Sequence, residues 1–273
     1  MPRQLTSSGL PHRSAAGAPA QPGRPGQWHA SSGYAMIGAT LASVPAQLRA
    51  PMKPGDREDT VPNVLILSGP NHGFDRSAPI IDAFLQRAGI ATTLTDDKGI
   101  LAAPELAQFD VVIVGTGFTR PERQPDGSRR FVSELTDSQA EGLFSFVRGG
   151  KGFLGLHGTG WWIGGEAVRL VGGHANWHPP GLEFTVHIED PAHPITQGIA
   201  DFTVQDEIYM SAWDPAIHVL ATATWAERKH PMAWIHRYGA GRVFYTTLGH
   251  GPSTFEHPAM QRLLTNAVLW LAG

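Results

Sequence analysis

From about residue 64 onward, short apolar runs alternate with amphipathic segments. The runs are continuous rather than alternating, which is typical of strands buried on both faces. Helices are expected near Ser77–Ala88, with Ser77 as the N-cap, and after Thr136, which opens a Thr-x-x-Gln capping box. Strands are expected at residues 64–67, 92–95, 110–114 and 152–156. This β-α-β order predicts an α/β fold, a three-layer, doubly wound and mostly parallel sheet with helices on both faces.

The second half of the chain is less regular. Residues 182–189 alternate apolar and polar side chains, which predicts a strand with one wet face. Further strands are expected at 217–223 and 242–247, and residues 118–134, which are polar and rich in arginine, are expected to form a long loop. The last segment places Met260, Leu263, Leu264, Ala267 and Leu271 on one helical face. We therefore expect one α/β domain over residues 62–273.

Residues 1–61 differ in composition from the rest. They are dominated by Pro, Gly, Ala, Ser and Arg with few aliphatic side chains, which predicts a disordered, low-complexity N-terminal extension. No stretch of the chain has the length and hydrophobicity of a transmembrane helix, so we expect no membrane partner and a cytoplasmic location.

Charge and cysteine content exclude some functions. The formal net charge of −3 and the lack of a basic cluster argue against a dedicated nucleic-acid binder. The chain has no cysteine, so disulfides, thiolate metal sites and a cysteine nucleophile are ruled out. The oligomeric state is left open by the sequence, and a homo-oligomer is compatible with it.

The most informative feature is His157, which follows an apolar strand in the run Gly-Leu-His157-Gly-Thr159-Gly. In α/β folds a nucleophile commonly stands on such a strand-to-helix turn. Imidazole at this place has several roles open to it: general base, hydrogen-bond partner of a sugar, metal ligand, or a structural group bonded to the backbone.

Other polar residues also follow predicted strands. His72 and Thr159 come after the first and fourth strands of the expected parallel sheet, and His250 follows the last one in a Gly-His-Gly run. Ligands of open α/β sheets bind outside the carboxyl ends of the strands. These side chains are therefore candidate site residues, with His157 and His250 catalytic and His72 and Thr159 in contact with the substrate.

Residues 161–178 carry two further signals. His174 and His178 are four residues apart, which resembles the spacing of metal ligands, so a divalent ion such as zinc is a candidate cofactor. Prolines after His178 break any helix that would aim both rings at one ion. Trp161 and Trp177 offer flat apolar faces on which a sugar ring can stack, or they are part of the core.

Glu207 lies in the run Asp206-Glu207-Ile-Tyr209. In a strand, adjacent side chains point to opposite faces, so we expect one of the two carboxylates to face the site and the other to face solvent. Glu207 and Tyr209 then share a face. Glu207 is a candidate general acid or base, or a surface salt-bridge partner, and Tyr209 is a candidate substrate contact.

The order and spacing of five motifs, from about Val64 to the C-terminus, resemble those of the ThuA-like (trehalose utilisation) proteins. They are Gly-Leu-His157-Gly, Gly172-Gly173-His174, Asp190-Pro-Ala-His193-Pro-Ile, Asp206-Glu207-Ile-Tyr209 and Gly241-Arg-Val-Phe-Tyr-Thr-Thr-Leu-Gly-His250. The resemblance implies the flavodoxin-type fold of class I glutamine amidotransferase-like proteins and a role in disaccharide use, on oxidised (3-keto) sugars or related glycosides. It also implies that polar site residues stand at His72, His157, His174, Glu207 and His250. Because His157 replaces the amidotransferase cysteine, no glutaminase activity is expected.

Two functions are therefore weighed. The first is an enzyme that processes a disaccharide-derived keto-sugar or glycoside by hydrolysis, elimination or isomerisation. It would use acid–base chemistry of histidine and glutamate, with or without a metal. The second is a non-catalytic sugar-binding or regulatory protein on a degenerate amidotransferase-like scaffold. In both cases the expected partner is a small sugar.

Overall fold

The computed structural model describes residues 61–273. The predicted disorder of the N-terminal extension falls almost wholly outside the described residues. In the first half of the described chain the elements are β1 (Asn63–Leu67), α1 (Phe74–Arg87), β2 (Ala91–Thr95), β3 (Val111–Val114), β4 (Thr119–Arg123), β5 (Arg129–Ser133), α2 (Asp137–Arg148) and β6 (Gly152–Leu156). The second half contains α3 (Gly165–Val171), β7 (Gly173–Trp177), β8 (Leu182–Ile188), β9 (Phe202–Asp206), β10 (Met210–Trp213), β11 (His218–Trp225), β12 (Arg228–Tyr238), β13 (Gly241–Thr246), α4 (Pro252–Glu256) and α5 (Pro258–Ala272).

A nine-stranded sheet in the order β2-β1-β3-β6-β13-β12-β11-β8-β9 forms the centre of the fold. The first five strands of this order are parallel to one another. Their carboxyl ends therefore meet at one edge, which we call the carboxyl edge. The alternation read from the sequence predicted this parallel part correctly, and the α/β fold class is confirmed.

Helices cover both faces of the sheet, because its central strands are apolar on both sides. Val64 and Ile66 of β1 pack in one core cluster with residues of α1 and α5. Leu65 and Leu67 point the other way and pack with residues of α2 and α3. Successive side chains of a strand face opposite sides, so one short apolar run serves both cores.

The remaining four strands extend the sheet in antiparallel fashion. β12 pairs with β13 and β11, and β11 pairs with β8, which pairs with β9. In β8, Phe184 and Val186 are buried and Glu183 is exposed, as the alternating pattern predicts. β12 was not anticipated, because it opens with charged residues and contains Pro231, which is unusual inside a strand.

Two local expectations are wrong. Residues 118–134 contain the β4–β5 hairpin rather than a loop without strands. Both faces of this hairpin are largely exposed, so its sequence lacks the apolar alternation by which strands are recognised. α1 begins at Phe74 after Gly73, which has φ = 65°, and Ser77 is buried inside the helix instead of capping it. The capping box of α2 is confirmed, with Thr136 and Gln139 bonded reciprocally. Within residues 61–273, the helices are too short or too polar to cross a membrane.

Candidate functional site

His157 stands directly after β6, at the centre of the carboxyl edge. Its ring is buried, and its backbone has φ = 34°, a left-handed conformation that is uncommon for residues other than glycine. Gly158 makes the turn feasible, because a Cβ there would lie 2.7 Å from the carbonyl oxygen of Gly115 and 2.7 Å from the His72 ring. His72, with φ = 56°, packs edge-on to His157 with ring centroids 5.4 Å apart. Strained backbone of this kind is concentrated at functional sites.

The hydrogen bonds of His157 determine its tautomer. Nδ1 lies 2.8 Å from the carbonyl oxygen of Thr247, which follows the adjacent strand β13. A carbonyl only accepts, so Nδ1 carries the proton and donates it. Nε2 therefore holds a lone pair in the neutral ring, and it accepts from the Tyr209 hydroxyl at 2.7 Å. Burial lowers the pKa of His157 well below its ordinary value, which keeps this ring neutral.

Glu207 and His250 meet His157 at this lone pair. Nε2 of His157 is 3.5 Å from Oε2 of Glu207 and 3.4 Å from Nδ1 of His250. Nδ1 of His250 is 3.2 Å from Oε1 of Glu207. In a tetrahedral zinc site with bonds of about 2.0–2.1 Å, neighbouring ligand atoms are about 3.3–3.4 Å apart. The three side chains could thus hold a metal ion without large movement, and their ligand atoms all lie within 4.8 Å of one another.

Glu207 is buried, whereas the His250 side chain is 57% exposed and opens the site to solvent. Burial raises the pKa of Glu207, and the nearby His250 and His178 oppose this shift. A carboxylate with a raised pKa is a stronger base than an exposed one. This geometry is suited to accepting a proton or binding a cation.

Asp206 does not face solvent, and the expectation that only one of the two adjacent carboxylates is inside is wrong. Both are buried. β9 ends at Asp206, so the strict alternation of a strand no longer applies to Glu207. Asp206 instead accepts hydrogen bonds from the loop that carries His250. Sequence reasoning missed Asp206 as a site-building residue, and its position directly before Glu207 was the available signal.

Aromatic side chains form one wall of the site. The Trp161 ring contacts His174, His178 and Tyr209, with centroid distances of 6.3, 6.1 and 5.7 Å. Its indole N–H and Nδ1 of His174 make no hydrogen bond of good geometry within residues 61–273. Burial raises the pKa of the neighbouring Tyr209 well above its usual value. Trp177, at the end of β7, is 55% exposed and available for stacking.

The structure places the other predicted site residues as follows. Thr159 is buried, and its hydroxyl donates to the carbonyl oxygen of Val114 at 2.8 Å, so it braces the turn against β3. Nδ1 of His178 lies 3.5 Å from Oε1 of Glu207 and 2.9 Å from the carbonyl oxygen of Pro179. His174 lies in β7 and contacts the Trp161 ring edge-on. Metal binding by His174 and His178 stays a prediction, and the three-residue cluster found among the described residues consists of His157, Glu207 and His250.

Comparisons with known proteins agree with this fold. Solved structures of a ThuA-like protein from Bacteroides uniformis and of another from Parabacteroides merdae superpose with TM-scores of 0.61 and 0.62. Each is 18% identical, and the matches cover 80% and 78% of this chain and 95% and 90% of those chains. A β-galactosidase from Bacillus circulans sp. alkalophilus also matches with a TM-score of 0.55 and 14% identity, over 76% of this chain but 30% of its own length. At these identities the likeness shows the fold alone.

No curated protein matches the chain. The sequence profile of the ThuA family, described as trehalose utilisation, matches residues 63–271. This match covers every strand of the described fold and all of its helices except the last residue of α5, and it includes the residues around His157. The chain belongs to the ThuA family.

Proposed function

We propose that the protein is a carbohydrate-processing enzyme that acts on a disaccharide-derived keto-sugar or glycoside. The observation that carries the proposal is the convergence of His157, Glu207 and His250 around one lone pair, at distances that suit a tetrahedral ion. The family description of trehalose utilisation and the exposed Trp177 support a sugar as the substrate. The sheet edge on which the site lies is the place where α/β folds bind ligands.

The residues can hold a divalent ion such as zinc. The Thr247 carbonyl fixes the proton on Nδ1 of His157, so Nε2 is directed into the site as a ligand atom. Two imidazoles and one carboxylate are a donor set that zinc accepts, and three protein ligands leave a coordination position open. A bound ion would polarise a carbonyl or hydroxyl oxygen of the sugar.

Glu207 is the proposed base, because a carboxylate that binds an ion through one oxygen keeps its other oxygen free to accept a proton. A proton on the carbon next to the sugar carbonyl passes to a Glu207 oxygen, and the electron pair moves onto the carbonyl oxygen to give an enolate. Return of the proton to the former carbonyl carbon, together with transfer of the neighbouring hydroxyl's proton to the enolate oxygen, isomerises the sugar. If the carbonyl instead re-forms and a group on the β-carbon departs with its bonding electron pair, the result is elimination of that group. Tyr209, kept neutral by its raised pKa, holds its proton for a hydrogen bond to Nε2 of His157 or to a substrate oxygen.

Hydrogen–deuterium exchange at carbon tests the proposal without requiring the final product. In D₂O, NMR should show exchange of the proton next to the carbonyl of a 3-keto-glycoside when wild-type protein is present. Glu207→Gln keeps the shape and removes the base, so exchange should slow by about 100-fold or more. Glu183→Gln, an exposed glutamate on β8, is the matched control and should exchange like wild type.

A second candidate function is non-catalytic sugar binding, which the exposed ring of Trp177, next in sequence to His178, favours. Calorimetry that shows tight binding of the sugar, together with no carbon exchange at any zinc concentration, would establish this alternative and exclude the enzyme. Metal content of the purified protein, measured by elemental analysis, decides separately whether an ion is held. The cytoplasmic location and the oligomeric state remain predictions.

A further inference from the structure

Asp206 is a buried carboxylate that touches the backbone of two site residues without facing the site itself. Its Oδ1 accepts from the backbone N–H of Glu207 at 2.8 Å and from the backbone N–H of His250 at 3.2 Å. The side chain is 3% exposed. A single oxygen atom thus joins the amides of the two residues that carry the carboxylate and the solvent-exposed imidazole of the site.

The second oxygen of Asp206 holds the loop that follows β13. Oδ2 accepts from the backbone N–H of Gly249 at 2.8 Å and from the Thr254 hydroxyl at 2.6 Å. Gly249 has φ = 124°, and a Cβ there would lie 2.6 Å from the Phe255 ring, so the loop packs closely on α4. Four donors on one carboxylate leave no acceptor position for solvent or substrate.

These contacts cross between two parts of the sheet. Glu207 follows β9, at the antiparallel end, and His250 follows β13, in the parallel part. Among the described contacts at the site, two of the four bonds to Asp206, both to Oδ1, are those that hold the Glu207 and His250 backbones to one atom. The side chains of these two residues approach each other, with Oε1 of Glu207 3.2 Å from Nδ1 of His250.

We propose that Asp206 is the positioning residue that sets the spacing of Glu207 and His250 for ion binding and proton transfer. This inference rests on the proposed function. Asp206 itself contacts neither substrate nor ion. Residues that orient metal ligands from behind typically change metal affinity or activity by about 10- to 100-fold when they are replaced.

Zinc titration of the full-length chain tests the proposal. Asp206→Asn keeps the shape of the side chain, but its NH₂ group replaces one of the two acceptor oxygens. The two groups that donate to that oxygen would then face another donor. We expect zinc affinity to fall by about 10- to 100-fold. Thr254→Val removes one donor and should give a smaller loss, whereas Thr254→Ser keeps the hydroxyl and should bind like wild type. Thermal unfolding of each variant identifies those that are folded at the titration temperature.

A merely structural role predicts a different pattern, in which Asp206→Asn lowers the melting temperature while the folded protein binds zinc as tightly as wild type. That result would overturn the proposal. Imidazole ¹⁵N shifts supply a readout that needs neither ion nor substrate. The His250 resonances should move in Asp206→Asn while those of His236, which lies in β12, stay unchanged. Unmoved His250 resonances would also overturn the proposal. Because this measurement needs no zinc, it tests the positioning role separately from the proposed function.

Discussion

The parallel and antiparallel parts of the sheet contribute different chemistry to one site. The parallel part supplies imidazoles, since His72, His157 and His250 lie in the segments after β1, β6 and β13. The antiparallel part supplies the carboxylate and the phenol, through Glu207 and Tyr209 after β9. The site therefore exists only where the two parts meet, and its geometry depends on the contacts that join them.

The two parts also hold their side chains in different ways. His157 is fixed by the backbone carbonyl of Thr247, the residue directly after the adjacent parallel strand, through the 2.8 Å bond from Nδ1. Glu207 is fixed by a neighbouring side chain, Asp206, through its own amide. Sheet pairing cannot shift without breaking many bonds, whereas a side-chain anchor can be altered by one substitution. The position of His157 is therefore less sensitive to a single substitution in its surroundings than the position of Glu207.

The largest expected effect comes from His157→Asn. Asparagine tolerates the left-handed backbone, and its amide can still donate toward Thr247, so the change removes chiefly the Nε2 lone pair. We expect turnover of a 3-keto-glycoside to fall by about 100- to 10,000-fold and zinc binding to be lost. Steady-state kinetics and zinc titration measure the two effects. Wild-type turnover in a folded His157→Asn protein would exclude His157 from the chemistry.

Tyr209→Phe tests the competition at the same lone pair. The Tyr209 hydroxyl and a metal ion cannot both use Nε2 of His157, so removal of the hydroxyl should leave zinc affinity unchanged or tighten it by up to about fivefold. Turnover should nevertheless fall, because the phenol donates to the substrate when the ion is bound. Calorimetric titration and kinetics on one preparation give both values. A loss of zinc affinity would show that Tyr209 supports the ion rather than competes with it.

Acid should weaken both parts of the sheet. Burial lowers the pKa of His157 in the parallel part and of His236 in β12. The unfolded chain therefore binds more protons than the folded protein below about pH 6.5. The free energy of unfolding is therefore highest above about pH 6.5 and decreases progressively as the pH falls below that value. Urea unfolding of chelator-treated protein between pH 7.5 and 5.5 measures it. His236→Gln should flatten the slope in part, and an unchanged slope would refute the role of His236.

The smallest effect is expected outside both parts, in the β4–β5 hairpin. Phe131 is 57% exposed there, so Phe131→Ser removes little buried surface. The free energy of unfolding should change by less than about 0.5 kcal/mol, and zinc affinity should not change. Urea unfolding and zinc titration provide the check. A large loss of stability would mean that the hairpin is packed more tightly than its exposure indicates.

The parallel part of the fold was predictable from the sequence, because its strands are continuous apolar runs. The antiparallel part was predictable only where one face is buried, as in β8. β12 and the β4–β5 hairpin were not recognised, since charged residues, a proline or two exposed faces hide their periodicity. Among the candidate site residues, His157, Glu207, Tyr209 and His250 lie together, whereas their roles stay predictions.

The sequence by itself determined which side chains follow the buried strands, and with that the edge at which they gather. It also excluded cysteine chemistry outright. Only the tertiary structure decided that His157 presents Nε2 rather than Nδ1, because this depends on a carbonyl 90 residues further along the chain. It likewise decided that Asp206 turns inward and joins Glu207 to His250. Strand periodicity is local, whereas hydrogen bonds across a sheet are formed by residues far apart in sequence, so no local pattern records them.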